Sequence, residues 1–257
     1  MKYTFLIDDM MFSYSRLTSF EQCHYGWLLN YIFHEEKRSG FFAEYGSFVH
    51  EIIAKILNGE LSKEEAPTYY MRHFAEQCPT PAISSSLWAK YYARGLEYLK
   101  SFSFPHNKIV AVEERVKFDL GDGVQFIGYV DVISEENGEL IITDHKSHDL
   151  KPFSRKYPEK KTKTDIELES YLRQLVLYAY GVKLKYGKYP AALEFNCFKA
   201  GTWIVVPFQE AWVEPTLQWA RDLRSLIRDE SEWRPNEDYF FCQNLCDVRD
   251  SCEYANM

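Results

Sequence analysis

An α/β fold with a helical N-terminal lobe follows from three features of the sequence. Apolar residues recur at helical spacing in the N-terminal part, and the period switches to two near Lys108. An Asn-Gly pair at 137 and 138 then joins two apolar runs, the strongest short hairpin signal a sequence offers. The first helix is predicted over residues 15–33, where Ser13 or Ser15 can cap it and Leu17, Phe20, Trp27, Leu28 and Ile32 form a stripe. A second, 43–57, aligns Phe48, Ile52, Ile53, Ile56 and Leu57, and further helices are expected at 63–77 and 84–102, separated by Pro79 and Pro81. A strand holding Val110, Val112, Val116 and Phe118 ends at Gly121-Asp122-Gly123. After the hairpin come a long helix at 165–186, strands at 193–198 and 203–207, and a helix at 210–228. Helices, then strands, then helix, strands and helix make one α/β domain the expected organisation.

The hairpin fixes a register. With Asn137 and Gly138 as loop residues, Glu136 faces Glu139 and Asp131 faces Asp144, their Cβ atoms about 4.5–5.5 Å apart. Alternation puts Lys146 on the same face. The remaining positions, Val130, Val132, Ile133, Ile141 and Ile142, are apolar on both faces, as in central strands covered on both sides. Two like charges on a mostly buried surface are destabilising unless a cation or a proton is shared there. A slipped register, or carboxylates bonded to a helix end, would account for an isolated Asp pair. The added lysine favours a divalent metal site, since hard oxygen ligands suit Mg²⁺ or Mn²⁺.

Composition bounds the function. The 257 residues, 46% hydrophobic and 26% charged, suffice for a substantial core. No run is long and apolar enough for a membrane span, and the start MKYTFLIDDMMF lacks a basic n-region and cleavage site, so a cytoplasmic protein is expected. A net charge of −8 argues against a protein that coats nucleic acid with its whole surface, yet leaves room for a local basic groove. Such a groove is expected from Lys151, Arg155, Lys156, Lys160, Lys161 and Lys163, which follow the hairpin and read as a phosphate-contacting flap. The 19 Tyr and 18 Phe are compatible with base stacking, though most are expected in the core. On the following helix Gln174 and Tyr178 are four apart and share a face. Of the six cysteines, Cys78 and Cys197 stand alone, whereas Cys23 lies near the start and Cys242, Cys246 and Cys252 crowd the C-terminal end.

Four motifs in order, Gly46-Ser47-Phe48-Val49-His50, Gly128-Tyr129-Val130-Asp131, Asp144-His145-Lys146 and Gln174-Leu175-Val176-Leu177-Tyr178, make the chain resemble the PD-(D/E)XK nucleases. The resemblance is to the RecB-like branch, which includes the AddB nuclease domain and the iron–sulfur nucleases of CRISPR adaptation. It implies a restriction-endonuclease-like core, a mixed sheet with an antiparallel hairpin flanked by helices. It also implies a single nuclease domain over 1–257, with a helical lobe at 13–104, the core at 105–230 and a cysteine-rich tail at 237–257 joined to Cys23. The segments around Cys23 and Cys242–Cys252 resemble the ligand sets of the iron–sulfur members. His24 replaces a common proline, and three residues rather than two separate Cys242 from Cys246. A Cys₄ set suits a 4Fe–4S cluster, spacing alone also suits tetrahedral zinc, and unligated reduced cysteines are the third reading.

By the same resemblance, Asp131, Asp144, His50 and the backbone carbonyl of His145 would ligate Mg²⁺ or Mn²⁺. Lys146 would position water or stabilise charge on the phosphate, and Gln174 and Tyr178 would orient Lys146 or bind the backbone. An acidic residue on the preceding strand is common in the family, with Glu113 favoured over Glu114. His148 and Asp149 match no motif. The expected function is a metal-dependent DNA exonuclease in recombination or repair, CRISPR adaptation, or a phage or mobile-element pathway. The contrasting expectation is a non-catalytic nucleic-acid-binding or adaptor protein that keeps the scaffold and a structural metal site. No phosphate-binding helicase loop is present, so translocation would need a helicase or integrase-type partner.

Overall fold

A computed structural model describes residues 2–38, 40–79, 83–154 and 160–255. The helices are α1 (Thr4–Asp8), α2 (Tyr14–Gln22), α3 (His24–Tyr31), α4 (Phe41–Leu57), α5 (Ala66–Gln77), α6 (Ser85–Lys100), α7 (Lys163–Tyr186), α8 (Val213–Asp229) and α9 (Tyr239–Asn244). The strands are β1 (Lys108–Asp119), β2 (Gln125–Glu136), β3 (Glu139–Lys146), β4 (Ala192–Cys197) and β5 (Thr202–Pro207). They form one mixed sheet in the order β1-β2-β3-β4-β5, with β2 and β4 antiparallel and parallel to β3 respectively. The hairpin register is the one the Asn-Gly turn dictates: Glu136 pairs with Glu139 and Val132 with Thr143, and Asn137 and Gly138 both take positive φ.

The chain divides into two compact units. One comprises Phe41–Val116 and Tyr129–Glu210. Its helical part packs α4 on α5 and α5 on α6 around fully buried Tyr45, Tyr70 and Phe74. Each such ring removed from water contributes about 1.5–3 kcal/mol. Tyr70 lies so close to Gly95 that any Cβ there would collide with its hydroxyl, which explains a glycine inside α6. In the same unit α7 lies on β3. Its start is fixed by a capping box between Thr162 and Asp165, and its end by Gly187 at φ 81°. Gly181 allows α7 to approach Val116, whose Cβ would be 2.6 Å from an added methyl.

The other unit comprises Met1–Gly40, Lys117–Gly128 and Ala211–Met257. There α8 buries Leu217, Ala220, Leu223 and Ile227, packs against α1 and α2, and Trp27 stacks on Trp233 at 5.6 Å. The expected single helix over 15–33 is broken in two. Cys23 is extended (φ −160°, ψ 110°), and its sulfur caps α3 by accepting from the Gly26 N–H at 3.1 Å. The apolar stripe is continuous through the break, so periodicity carried no sign of it. Helices α1 and α9 lie outside the elements expected from the sequence.

Candidate active site

The candidate site lies within the larger unit, on one face of β2 and β3 and beneath α4 and α7. Gly46 brings α4 against the end of β3, since a Cβ there would stand 3.3 Å from the Ser147 hydroxyl. One helical turn on, His50 Nε2 is 2.8 Å from the carbonyl oxygen of His145 and donates to it, leaving Nδ1 3.5 Å from Asp131 Oδ2. That hydrogen bond fixes the tautomer, so Nδ1 presents a lone pair toward a carboxylate. Burial holds the His50 imidazole below its usual range, which keeps it neutral. Asp131 Oδ2 also accepts from the His145 N–H at 2.7 Å. Burial first, and then the charge of Asp144, push the Asp131 carboxyl well above the usual carboxylate range.

Glu113 completes this group. Atoms of His50, Glu113 and Asp131 come within 4.8 Å of one another, the only such set of three potential ligands among the described residues. Glu113 has φ 52°, a left-handed conformation in the middle of β1 that interrupts the alternation of the strand. Its neighbour Glu114 turns away to Lys185 and to the Tyr186 hydroxyl. Partial burial raises the Glu113 carboxyl. A neutral nitrogen and two oxygen donors, with one carboxyl destabilised as an anion by another, fit a hard divalent cation.

Asp144 sits beside this set and engages Lys146, whose Nζ is 2.7 Å from Oδ2. The approach is off the hydrogen-bond direction, so the oxygen keeps a lone pair unengaged. Lys146 is held from two further sides by α7. Its Nζ donates to Gln174 Oε1 at 3.2 Å and lies 4.6 Å from the centroid of the Tyr171 ring. Gln174 Nε2 in turn donates to the Tyr178 hydroxyl at 3.0 Å. Tyr178 is buried and its phenol is pushed upward by desolvation, so it reaches Lys146 through Gln174 and has no access to a backbone phosphate.

Positions 171, 174 and 178 are one helical face, and Tyr171, three residues before Gln174, was the member sequence reading passed over. Its ring also packs on His148, which burial and then Lys146 hold below the usual imidazole range. Of the basic flap, Lys151, Lys160, Lys161 and Lys163 are exposed, and Lys161 pairs with Glu169 at 2.7 Å. Arg155 and Lys156 lie outside the described residues.

The smaller unit holds the four cysteines. Cys23, Cys242, Cys246 and Cys252 line one small cavity with Gly26, Phe241 and Arg249. Burial raises Cys242, Cys246 and Cys252, the second to about 11, and Cys23 raises all three further. Cys23 Sγ accepts from two backbone N–H groups, of Gly26 at 3.1 Å and Asn236 at 3.3 Å.

A model of the PD-(D/E)XK nuclease superfamily matches residues 11–253. The chain belongs to that superfamily. Membership makes the His50, Glu113 and Asp131 group and the adjoining Lys146 the natural candidates for nuclease chemistry. Among solved structures, the "Putative exonuclease" from Eubacterium rectale aligns over 97% of this chain and 91% of its own, at 12% identity and a TM-score of 0.51. That likeness shows the shared fold. A second structure, SSO0001, covers 76% of this chain and 82% of its own at 18% identity, and its TM-score of 0.35 is too low to carry an argument. A search of curated proteins finds no match. Among the described residues no helix is long and apolar enough to cross a membrane.

Proposed function

We propose that this nuclease is a Mg²⁺- or Mn²⁺-dependent deoxyribonuclease acting as an exonuclease on DNA ends or single strands. The observation that supports it is the meeting, on one hairpin face, of a three-donor group with a lysine held by Asp144, Gln174 and Tyr171. His50, Glu113 and Asp131 would hold the ion, with Asp144 beside them. The His145 carbonyl, already an acceptor for His50, has a second lone pair for the same ion. When bound, the ion supplies Lewis-acid polarisation of the phosphodiester.

The Lys146 ammonium donates to the phosphate oxygen as negative charge grows there, and orients the attacking water. Gln174 fixes the direction of that ammonium, and Tyr178 fixes Gln174. The flap lysines Lys151, Lys160 and Lys163 contact the backbone away from the reacting phosphate.

The thiols of Cys23, Cys242, Cys246 and Cys252 would hold a 4Fe–4S cluster that ties the N-terminal helices to the tail, closing a loop of most of the chain. The resemblance of the segments around Cys23 and Cys242–Cys252 to the iron–sulfur members supports the cluster over zinc. Recombination or repair, CRISPR adaptation and mobile-element pathways all use such an activity, with a helicase or integrase-type partner supplying translocation.

The test is cleavage of end-labelled single- and double-stranded DNA by anaerobically purified protein with Mg²⁺, Mn²⁺ or chelator, beside Asp131→Asn. Metal-dependent release of products from an end, absent in the variant, is the expected result. Absence of cutting on every substrate, with DNA binding retained, would overturn it in favour of a non-catalytic scaffold. Iron and acid-labile sulfide are expected in the purified protein, and stoichiometric zinc in their place would overturn the cluster assignment.

A further inference from the structure

Tyr129 sits two residues before Asp131 on β2. Burial alternates along this stretch: Phe126, Val130 and Val132 are fully buried, whereas Tyr129 is 51% exposed. Tyr129 and Asp131 therefore point from the same face, about 7 Å apart along the strand. In a protein whose rings are mostly packed on one another, the Tyr129 ring stacks on no other ring among the described residues. Its backbone is nonetheless fixed, because it lies within β2, an inner strand of the sheet, on the same strand as Asp131. Glu113, the exposed member of the three-donor group, marks the same side of the site as open to solvent.

A half-exposed aromatic face on a rigid central strand, one nucleotide's reach from the proposed scissile phosphate, has one occupant that the site itself delivers. We propose that Tyr129 is a stacking platform for the nucleobase flanking the scissile phosphate, a subsite that rests on the nuclease reading. Stacking on a tyrosine ring is indifferent to base identity and independent of charge, so it favours single-stranded or frayed ends, where bases are free, without imposing a sequence. It separates the binding functions as well: the ring holds a base while the flap lysines hold phosphates, and only the lysines contribute to the salt dependence.

The experiment measures equilibrium binding of a labelled thymidine oligonucleotide and of an abasic strand of equal length, in Ca²⁺ with the DNA verified intact. The proteins are the parent, Tyr129→Ala, Tyr129→Phe and Tyr129→Trp. Tyr129→Ala is expected to weaken binding of the thymidine strand about 5- to 150-fold, by the same factor at low and physiological salt. The Phe and Trp variants are expected to stay within about 3-fold of the parent, and on the abasic strand all four proteins are expected to bind alike.

Unchanged binding by Tyr129→Ala, or an equal loss on the abasic strand, would overturn the stacking role. A parent that cuts DNA while Tyr129→Ala binds like it sinks this inference and leaves the nuclease reading standing. A parent that neither binds nor cuts any nucleic acid sinks both.

Discussion

Replacing Lys146 by methionine in the metal-free protein removes the cation from a pair whose side chains are only 13% and 6% exposed. Asp144 is then left beside Asp131 with no compensating cation, in a site where the two carboxylates already repel. Breaking a buried pair in this one-sided way costs about 3–5 kcal/mol. At about 2–4 °C per kcal/mol for a chain of this size, the melting temperature should fall by about 6–20 °C. Asp144→Asn is different, because it deletes an attraction to Lys146 and a repulsion from Asp131 together, and the two oppose. Its cost should be the smaller of the two, and Lys146→Met combined with Asp144→Asn should recover part of the loss. Thermal melts of the four proteins in chelator give the whole cycle. A Lys146→Met protein that melts with the parent, or an Asp144→Asn protein less stable than Lys146→Met, would refute the reasoning. The cycle also shows why a loss of activity in a Lys146 variant must be read beside its stability.

Three further outcomes are expected. Tyr178→Phe removes the acceptor for the Gln174 amide in a buried setting, a loss of about 1–2 kcal/mol of orientation; kcat should fall about 5- to 30-fold in steady-state cleavage with KM unchanged, since Tyr178 cannot reach DNA. Tyr171→Leu removes the ring from Lys146, worth about 0.5–2 kcal/mol, so kcat should fall about 2- to 30-fold while Tyr171→Phe retains it. The raised Asp131 carboxyl gives a pH signature. Its folded pKa exceeds the ordinary value near 3.9, so the metal-free protein loses stability relative to Asp131→Asn as pH rises from about 4 through the folded pKa, and Mn²⁺ should restore it; melts of both proteins across pH, with and without Mn²⁺, check the sign.

Much of the candidate site was legible in the sequence. The Asn137-Gly138 turn admits only one comfortable register, and the observed pairing of Glu136 with Glu139 follows from it. Strand alternation then put Asp131, Asp144 and Lys146 on one face, and the helical period put Gln174 and Tyr178 together. Other features left no periodic trace. Glu113, only weakly favoured over Glu114 by the family resemblance, enters the donor group through a positive φ that breaks the alternation of its own strand. Tyr171 was on the right face but had the composition of any core tyrosine. The interruption at Cys23 hid inside a continuous apolar stripe, because a single extended residue costs the pattern nothing.

The sequence by itself determined the elements, the hairpin register and the sides on which polar residues emerge, since these depend on turn chemistry and on periods of 2 and 3.6 that are short-range properties of the chain. Tertiary structure decided which of those residues meet. His50 becomes a neutral donor to the His145 carbonyl with its free nitrogen toward Asp131 because Gly46 lets α4 close on Ser147, about a hundred residues away in sequence. Lys146 is directed by α7 rather than by its own strand. Such encounters depend on packing between distant segments, and no local pattern encodes the distance at which two of them come to rest.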